Sequence, residues 1–128
     1  MYITQLSVFV ENRVGNLDEI LEVLSQNGIN IRALSMADTS EFGILRMIVD
    51  DTDKAKEKLR EIGVVVKSSE VIAQHIDDTP GGLQKVISKL KQGGVSVEYL
   101  YAFLNRENDT AQVVLRVDDT KKAEQLLK

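Results

Sequence analysis

The chain contains no cysteine, which excludes a disulfide framework, thiolate metal sites and thiol catalysis. It contains one histidine, His75, no Gly-rich phosphate loop of the P-loop or dinucleotide type, and no helix carrying paired metal ligands. The catalytic inventory is therefore thin, and neither a metal nor an organic cofactor is implied. No apolar run approaches the roughly 18 residues needed to span a bilayer. The first residues, MYITQLSVFVEN, alternate and then turn polar, as a strand does and a signal peptide does not. A cytoplasmic protein with no membrane partner fits these absences. Excess positive charge is lacking as well: the formal net charge is -4, and no Lys/Arg stripe is interleaved with aromatics, so no nucleic-acid partner is expected.

What the chain does have is a duplication. Residues 11–37 and 77–103 align without a gap, about 66 positions apart. The alignment pairs Gly15 with Gly81, Leu17 with Leu83, Leu24 with Leu90, Gln26 with Gln92, Gly28 with Gly94 and Leu34 with Leu100. Further on, Val49-Asp50-Asp51-Thr52 recurs as Val117-Asp118-Asp119-Thr120, with a slightly larger offset because the intervening loop is longer in the second copy. Two copies are too few for a solenoid. They divide the 128 residues into units at 1–70 and 71–128, each near the lower size limit for a self-sufficient core. Each half is thus expected to lean on the other.

In the first copy Leu6, Val8 and Val10 alternate with polar or outward positions, which predicts a strand over about Ile3 to Val10. Leu17, Ile20, Leu21 and Leu24 then form one helical stripe that Asn27-Gly28 closes. Ile29 to Met36 and Phe42 to Val49 read as a hairpin across Ala37 to Glu41. Asp50-Asp51-Thr52 offers caps for a second helix marked by Ala55, Leu59 and Ile62 and ended by Gly63, and Val64 to Ile76 reads as extended chain. The second copy repeats this order: Val71 to Ile76, a helix from Gly82 to Gln92, a hairpin of Val95 to Leu104 with Thr110 to Val117, and a final helix from Lys121.

The fold class that follows is α+β: two ferredoxin-like βαββαβ units in tandem, antiparallel sheets with helices on one face. The second unit lacks its last strand. Either the natural chain runs on, or a neighbouring strand fills that edge, since an open edge invites pairing.

His75 reads first as a partly buried strand residue, with a pH-sensing or ligand role as the alternative. The acidic pairs Asp50-Asp51 and Asp118-Asp119 read as helix caps before they read as metal ligands. More informative are the loops joining the first strand of each copy to its helix. In Glu11-Asn12-Arg13-Val14-Gly15-Asn16-Leu17, glycine allows a tight turn close to a ligand. The helix start presents unpaired N–H groups to an anion such as a carboxylate. Asn12 both donates and accepts, which suits a zwitterion. The plainer reading, an N-cap with a turn glycine, stands first on spacing alone.

Glu11-Asn12-Arg13-Val14-Gly15, then Leu17, then Asn27-Gly28-Ile29-Asn30-Ile31 resembles the ACT domain, a small-molecule-binding module attached to enzymes such as phosphoglycerate dehydrogenase, aspartokinase and acetolactate synthase regulatory subunits. The second copy, Asp78-Thr79-Pro80-Gly81-Gly82-Leu83 followed by Gly94-Val95-Ser96-Val97, carries the D-x-P-G-x-L loop of that family more plainly. The resemblance spans essentially the whole chain, twice. It implies that an amino acid binds where the first loop of one unit meets the second strand of an adjacent unit. By matching position, Asn12 and Asn30 correspond to the asparagines that hold serine in the dehydrogenase's regulatory domain, while Val10 replaces a histidine there, which puts serine specificity in doubt. Ile31 lies beside Asn30. In the second copy Asp78 replaces Asn12 and Ser96 replaces Asn30. An aspartate suits an ammonium group and repels a carboxylate, so the two sites are expected to differ, with one of them used.

Tyr99, Tyr101 and Phe103 occupy one parity of a strand and Leu100, Ala102 and Leu104 the other, so both faces are apolar and one of them meets protein. A symmetric homodimer is the simplest closure, with local packing inside the chain as the alternative. The leading functional expectation is a non-catalytic tandem ACT sensor that binds an amino acid and passes its state to a partner such as a regulated enzyme. A ferredoxin-like enzyme such as an acylphosphatase is a second class; it needs an arginine-bearing phosphate cradle, and the counterpart of Arg13 is Thr79. RNA binding through Tyr99, Tyr101 and Phe103 is a third.

Overall fold

The computed structural model describes residues 1–38, 42–105 and 110–128. Ten elements follow one another: β1 (Tyr2–Glu11), α1 (Asn16–Gln26), β2 (Ile31–Asp38), β3 (Phe42–Val49), α2 (Thr52–Glu61), β4 (Val66–Asp77), α3 (Gly82–Gln92), β5 (Val97–Ala102), β6 (Thr110–Val117) and α4 (Thr120–Leu127). The chain forms two compact units, residues 4–69 and residues 70–128 together with 1–3. The tips of both expected hairpins fall partly at 39–41 and 106–109, outside the described residues.

In the unit of residues 4–69, β3 lies between β1 and β2 and pairs antiparallel with both. The Phe9 N–H donates to the Val65 carbonyl at 3.1 Å, which brings in the chain just before β4. Leu6, Val8 and Val10 of β1 share one face with Leu45, Met47 and Val49 of β3, and Ile20, Leu24, Ala55 and Leu59 of the two helices pack on that face. The period of two in the strands and near four in the helices thus converges on one core. Burying each large aliphatic side chain stabilises it by about 1.5–3 kcal/mol. Ile62 does not continue the α2 stripe: it is the C-cap and 47% exposed. The closing turn carries it outward, with Gly63 N–H on the Arg60 carbonyl and Val64 N–H on that of Leu59.

The unit of residues 70–128 repeats the pattern with β6 between β4 and β5. Ile72, Val113, Leu115 and Val117 pack under Val86, Leu90 and Ala123 of the helices. The start of the chain lies along β4: the Ala73 N–H donates to the Met1 carbonyl at 2.9 Å. Leu100 pairs with Leu115 on the helix-bearing face yet remains 39% exposed at the edge, whereas Tyr101, paired with Val114 on the other face, is 7% exposed. His75 pairs with Gln112 and is exposed rather than partly buried.

Candidate functional site

The loop between β1 and α1 is built on its backbone. Gly15 is the N-cap of α1 at φ 86, a left-handed conformation that side chains disfavour, and it leaves the helix without a side-chain cap. The turn is closed by the Arg13 N–H on the Glu11 carbonyl (2.8 Å) and the Asn16 N–H on the Arg13 carbonyl (3.3 Å). Asn16 is buried, and its Oδ1 accepts from the Glu11 N–H at 2.8 Å, which seals the end of β1. Glu11, Asn12, Arg13, Val14 and Leu17 are all exposed, Val14 completely.

The second-copy loop has the same turn. Gly81 is the N-cap of α3 at φ 84, again without a side-chain cap, and the Gly82 N–H donates to the Thr79 carbonyl at 3.0 Å. Asp78, Thr79, Pro80 and Leu83 are exposed and Gly82 is buried. By contrast, the helices that follow β3 and β6 are capped by side chains. Asp51 Oδ1 accepts from the Lys54 N–H and Asp119 Oδ1 from the Lys122 N–H, each at 3.1 Å. Only the second aspartate of each pair is a cap. The first holds a strand entry instead. Asp50 Oδ1 accepts from the Asn30 N–H and Asp118 Oδ1 from the Ser96 N–H, each at 3.0 Å, fixing the approach to β2 and to β5. Among the described residues no group of three or more His, Asp or Glu is placed to hold a metal ion.

Charge in the first loop is paired. Arg13 Nε lies 3.3 Å from Glu11 and Nη2 3.2 Å from Glu19. The hydrogen bond to Glu19, then the charge of that carboxylate, holds the guanidinium more basic than an ordinary arginine, with a smaller contribution from Glu11. An arginine in this state remains charged throughout the working pH range.

A cleft of about 440 Å³ opens beside the loop, lined by Val10, Glu11, Asn12, Arg13, Leu17, Met36 and Gly43. The structure thus brings four of the expected site residues together and adds Val10, Met36 and Gly43. A sequence signal for the last existed: a glycine inside a β-branched run marks a close approach. Asn30 and Ile31 are not part of this cleft. Glu11 pairs with Phe42 while Ile31 pairs with Val49, so the loop and the start of β2 lie at opposite ends of the sheet, roughly 23 Å apart along β3. A second cleft shares Glu11 and Arg13 with the first and is lined otherwise by Phe9 and Phe42 of the strands, by α1 from Asn16 to Gln26 and by the turn from Ile62 to Val65. On β5, the Tyr99 and Tyr101 rings stack on one another with centroids 6.4 Å apart, which turns ring faces toward each other.

This architecture, a duplicated βαββ-α frame with an uncapped glycine turn at each loop, matches the family model of the ACT domain pair over residues 1–128, and the chain belongs to that family. ACT domains are regulatory, ligand-binding modules without catalysis of their own. Among solved structures, the chain is similar to protein BT0572 from Bacteroides thetaiotaomicron, with 41% identity over 99% of this chain and 87% of that one and a TM-score of 0.92. It is also similar in fold to the ligand-free regulatory subunit of aspartate kinase from Thermus thermophilus, with 16% identity, 97% and 87% coverage and a TM-score of 0.68. The regulatory subunit of aspartate kinase from Thermus flavus gives 15% identity, 99% and 93% coverage and a TM-score of 0.64. Comparison with curated proteins returned no match. Among the described residues no helix is long and apolar enough to cross a membrane.

Proposed function

We propose that this ACT domain pair is a non-catalytic sensor of a free amino acid, bound in the cleft beside the β1–α1 loop, and that its bound state is read by a regulated partner protein. The observation that carries the reading is the cleft itself, with an exposed amide and a helix start at one rim and apolar residues below. The uncapped first turn of α1 offers N–H groups and the positive end of the helix dipole to a carboxylate. Asn12 can accept from the ammonium group or donate to the carboxylate. The Asp78 loop, with a carboxylate where Asn12 stands, is proposed to bind differently or not at all. Asn30, Ile31 and Ser96 enter the proposal as strand-two residues of an adjacent unit, as a symmetric homodimer would supply, for which the exposed Leu100 and Leu104 provide apolar surface. Sensing then follows as a population shift, because a ligand that favours one arrangement draws the ensemble toward it.

Thermal unfolding in the presence of each standard amino acid tests this. A ligand at a hundredfold excess over its dissociation constant adds about 2.7 kcal/mol of stability, and Asn12→Ala is expected to abolish most of that gain. No shift with any amino acid, or an undiminished shift in Asn12→Ala, sinks the proposal. Turnover of an acyl phosphate, or tight salt-sensitive binding of single-stranded RNA, would put one of the competing classes in its place.

A further inference from the structure

Met36 and Gly43 together shape the floor of the cleft. In the register of β2 with β3, Met36 faces Leu45 and Gly43 is its diagonal neighbour on the helix-bearing face, within reach of a long side chain. A Cβ added at Gly43 would stand 2.5 Å from the Met36 Cε and 3.8 Å from its Sδ. The methyl end of Met36 therefore occupies the space that a side chain at position 43 would need, and it rests on bare backbone. Met36 is nevertheless 46% exposed. An unbranched thioether with three rotatable bonds adapts its shape to whatever packs on it.

The rest of the cleft has a matching bias. Val10 and Leu17 add further apolar surface. Its charged groups are committed to each other, since Arg13 is shared between Glu11 and Glu19. An anionic ligand side chain entering here would lose water beside a cation already shared by two carboxylates, which is costly. An aliphatic side chain loses nothing comparable and gains contact with Met36.

We infer that this cleft selects an amino acid with an apolar side chain, and that Met36 lying over Gly43 is the surface on which that side chain packs. The inference rests on the amino-acid-binding reading above, and the two fail differently. Thermal unfolding of the full chain is measured with L-leucine, L-isoleucine and L-methionine, and with L-serine, L-threonine, L-aspartate and L-lysine at equal concentration. The apolar set is expected to raise the midpoint more. A larger rise with serine, threonine, aspartate or lysine overturns apolar selection and leaves amino-acid binding intact, whereas no rise with any amino acid overturns the binding reading itself. Gly43→Ala, which drives the Met36 methyl group from its place, is expected to weaken the preferred apolar ligand about tenfold, the lower end of the effect of one methylene in an apolar pocket. In a Met36→Ala background the same substitution meets only the Ala37 carbonyl oxygen, at an ordinary contact distance of 3.6 Å, and costs less; an equal loss in both backgrounds overturns the role of Met36. Should Gly43→Ala fail to fold, Met36→Leu at this half-exposed position serves instead. A changed ranking among leucine, isoleucine and methionine supports the inference, and an unchanged ranking overturns it.

Discussion

In the first copy the turn after the strand is tied down by a side chain, with Asn16 Oδ1 bonded to the Glu11 N–H at 2.8 Å. In the second the equivalent residue is Gly82, and the tie is replaced by proximity: a Cβ on Gly82 would be driven into the carbonyl oxygen of Asp77, the counterpart of Glu11. The charges have been exchanged too. Arg13 bridges Glu11 and Glu19 in the first copy. In the second, Lys85 takes the place of Glu19 and reaches Asp77 directly at 3.9 Å. Meanwhile the glycine N-caps, at φ 86 and 84, and the aspartate caps of α2 and α4 are the same in both. The duplication has preserved the backbone of the loop and diverged in the side chains around it, which is how one frame comes to present two chemically different surfaces.

Substituting alanine in each copy separates these two ways of holding a loop. Gly82→Ala has the largest expected effect, because the added methyl meets backbone and not the end of a flexible side chain. A loss of about 3 kcal/mol, the upper part of the range for overpacking, is expected in urea denaturation. A loss under about 1 kcal/mol would show that the close approach of α3 to Asp77 relaxes without cost. Asn16→Ala is expected to cost less, about 1–2 kcal/mol, since it removes one acceptor and leaves the Glu11 N–H without its partner. If Asn16→Ala proved the more damaging of the two, the side-chain tie would be the stronger device and close backbone packing the weaker.

Much of this frame was legible in the sequence, for reasons that can be named residue by residue. Ile20, Leu24, Leu59 and Leu90 sit on stripes whose period matches their element, and all are buried. The glycines that end helices and turn loops were legible because few other residues tolerate those backbone angles. What could not be read depends on partners far along the chain. Asp50 and Asp51 look alike in sequence, yet Asp51 caps α2 and Asp50 holds the backbone of Asn30, a distinction made by β2. Ile62 continues the α2 period, but the turn at Gly63 releases it to solvent. Asn12 and Asn30 share a motif, and only the register shows them to be at opposite ends of the sheet. The Met36–Gly43 contact likewise depends on the hairpin register, which residue types alone do not fix.

The smallest expected effect on stability, and the most direct probe of divergence, lies in the ion pairs. Arg13→Thr gives the first loop the residue that the second has, and leaves Glu11 and Glu19 without their shared cation. Both groups are exposed, so the unfolding midpoint in the absence of ligand should barely move. Ligand binding should respond more, because two uncompensated carboxylates beside the cleft repel the carboxylate of an incoming amino acid. Adding Glu19→Lys completes the exchange and is expected to restore binding, with the lysine now placed to meet Glu11 as Lys85 meets Asp77. The contrast between single and double variants should shrink from 0.1 M to 1 M salt, as the screening length falls from about 10 Å to about 3 Å. Titration of the wild-type chain and both variants at the two salt concentrations decides it. Equal affinities throughout would mean that the exchanged charges do not act on the cleft, and the difference between the copies would then rest on other exchanges, among them Asn12 against Asp78, Asn16 against Gly82 and Met36 against Ala102.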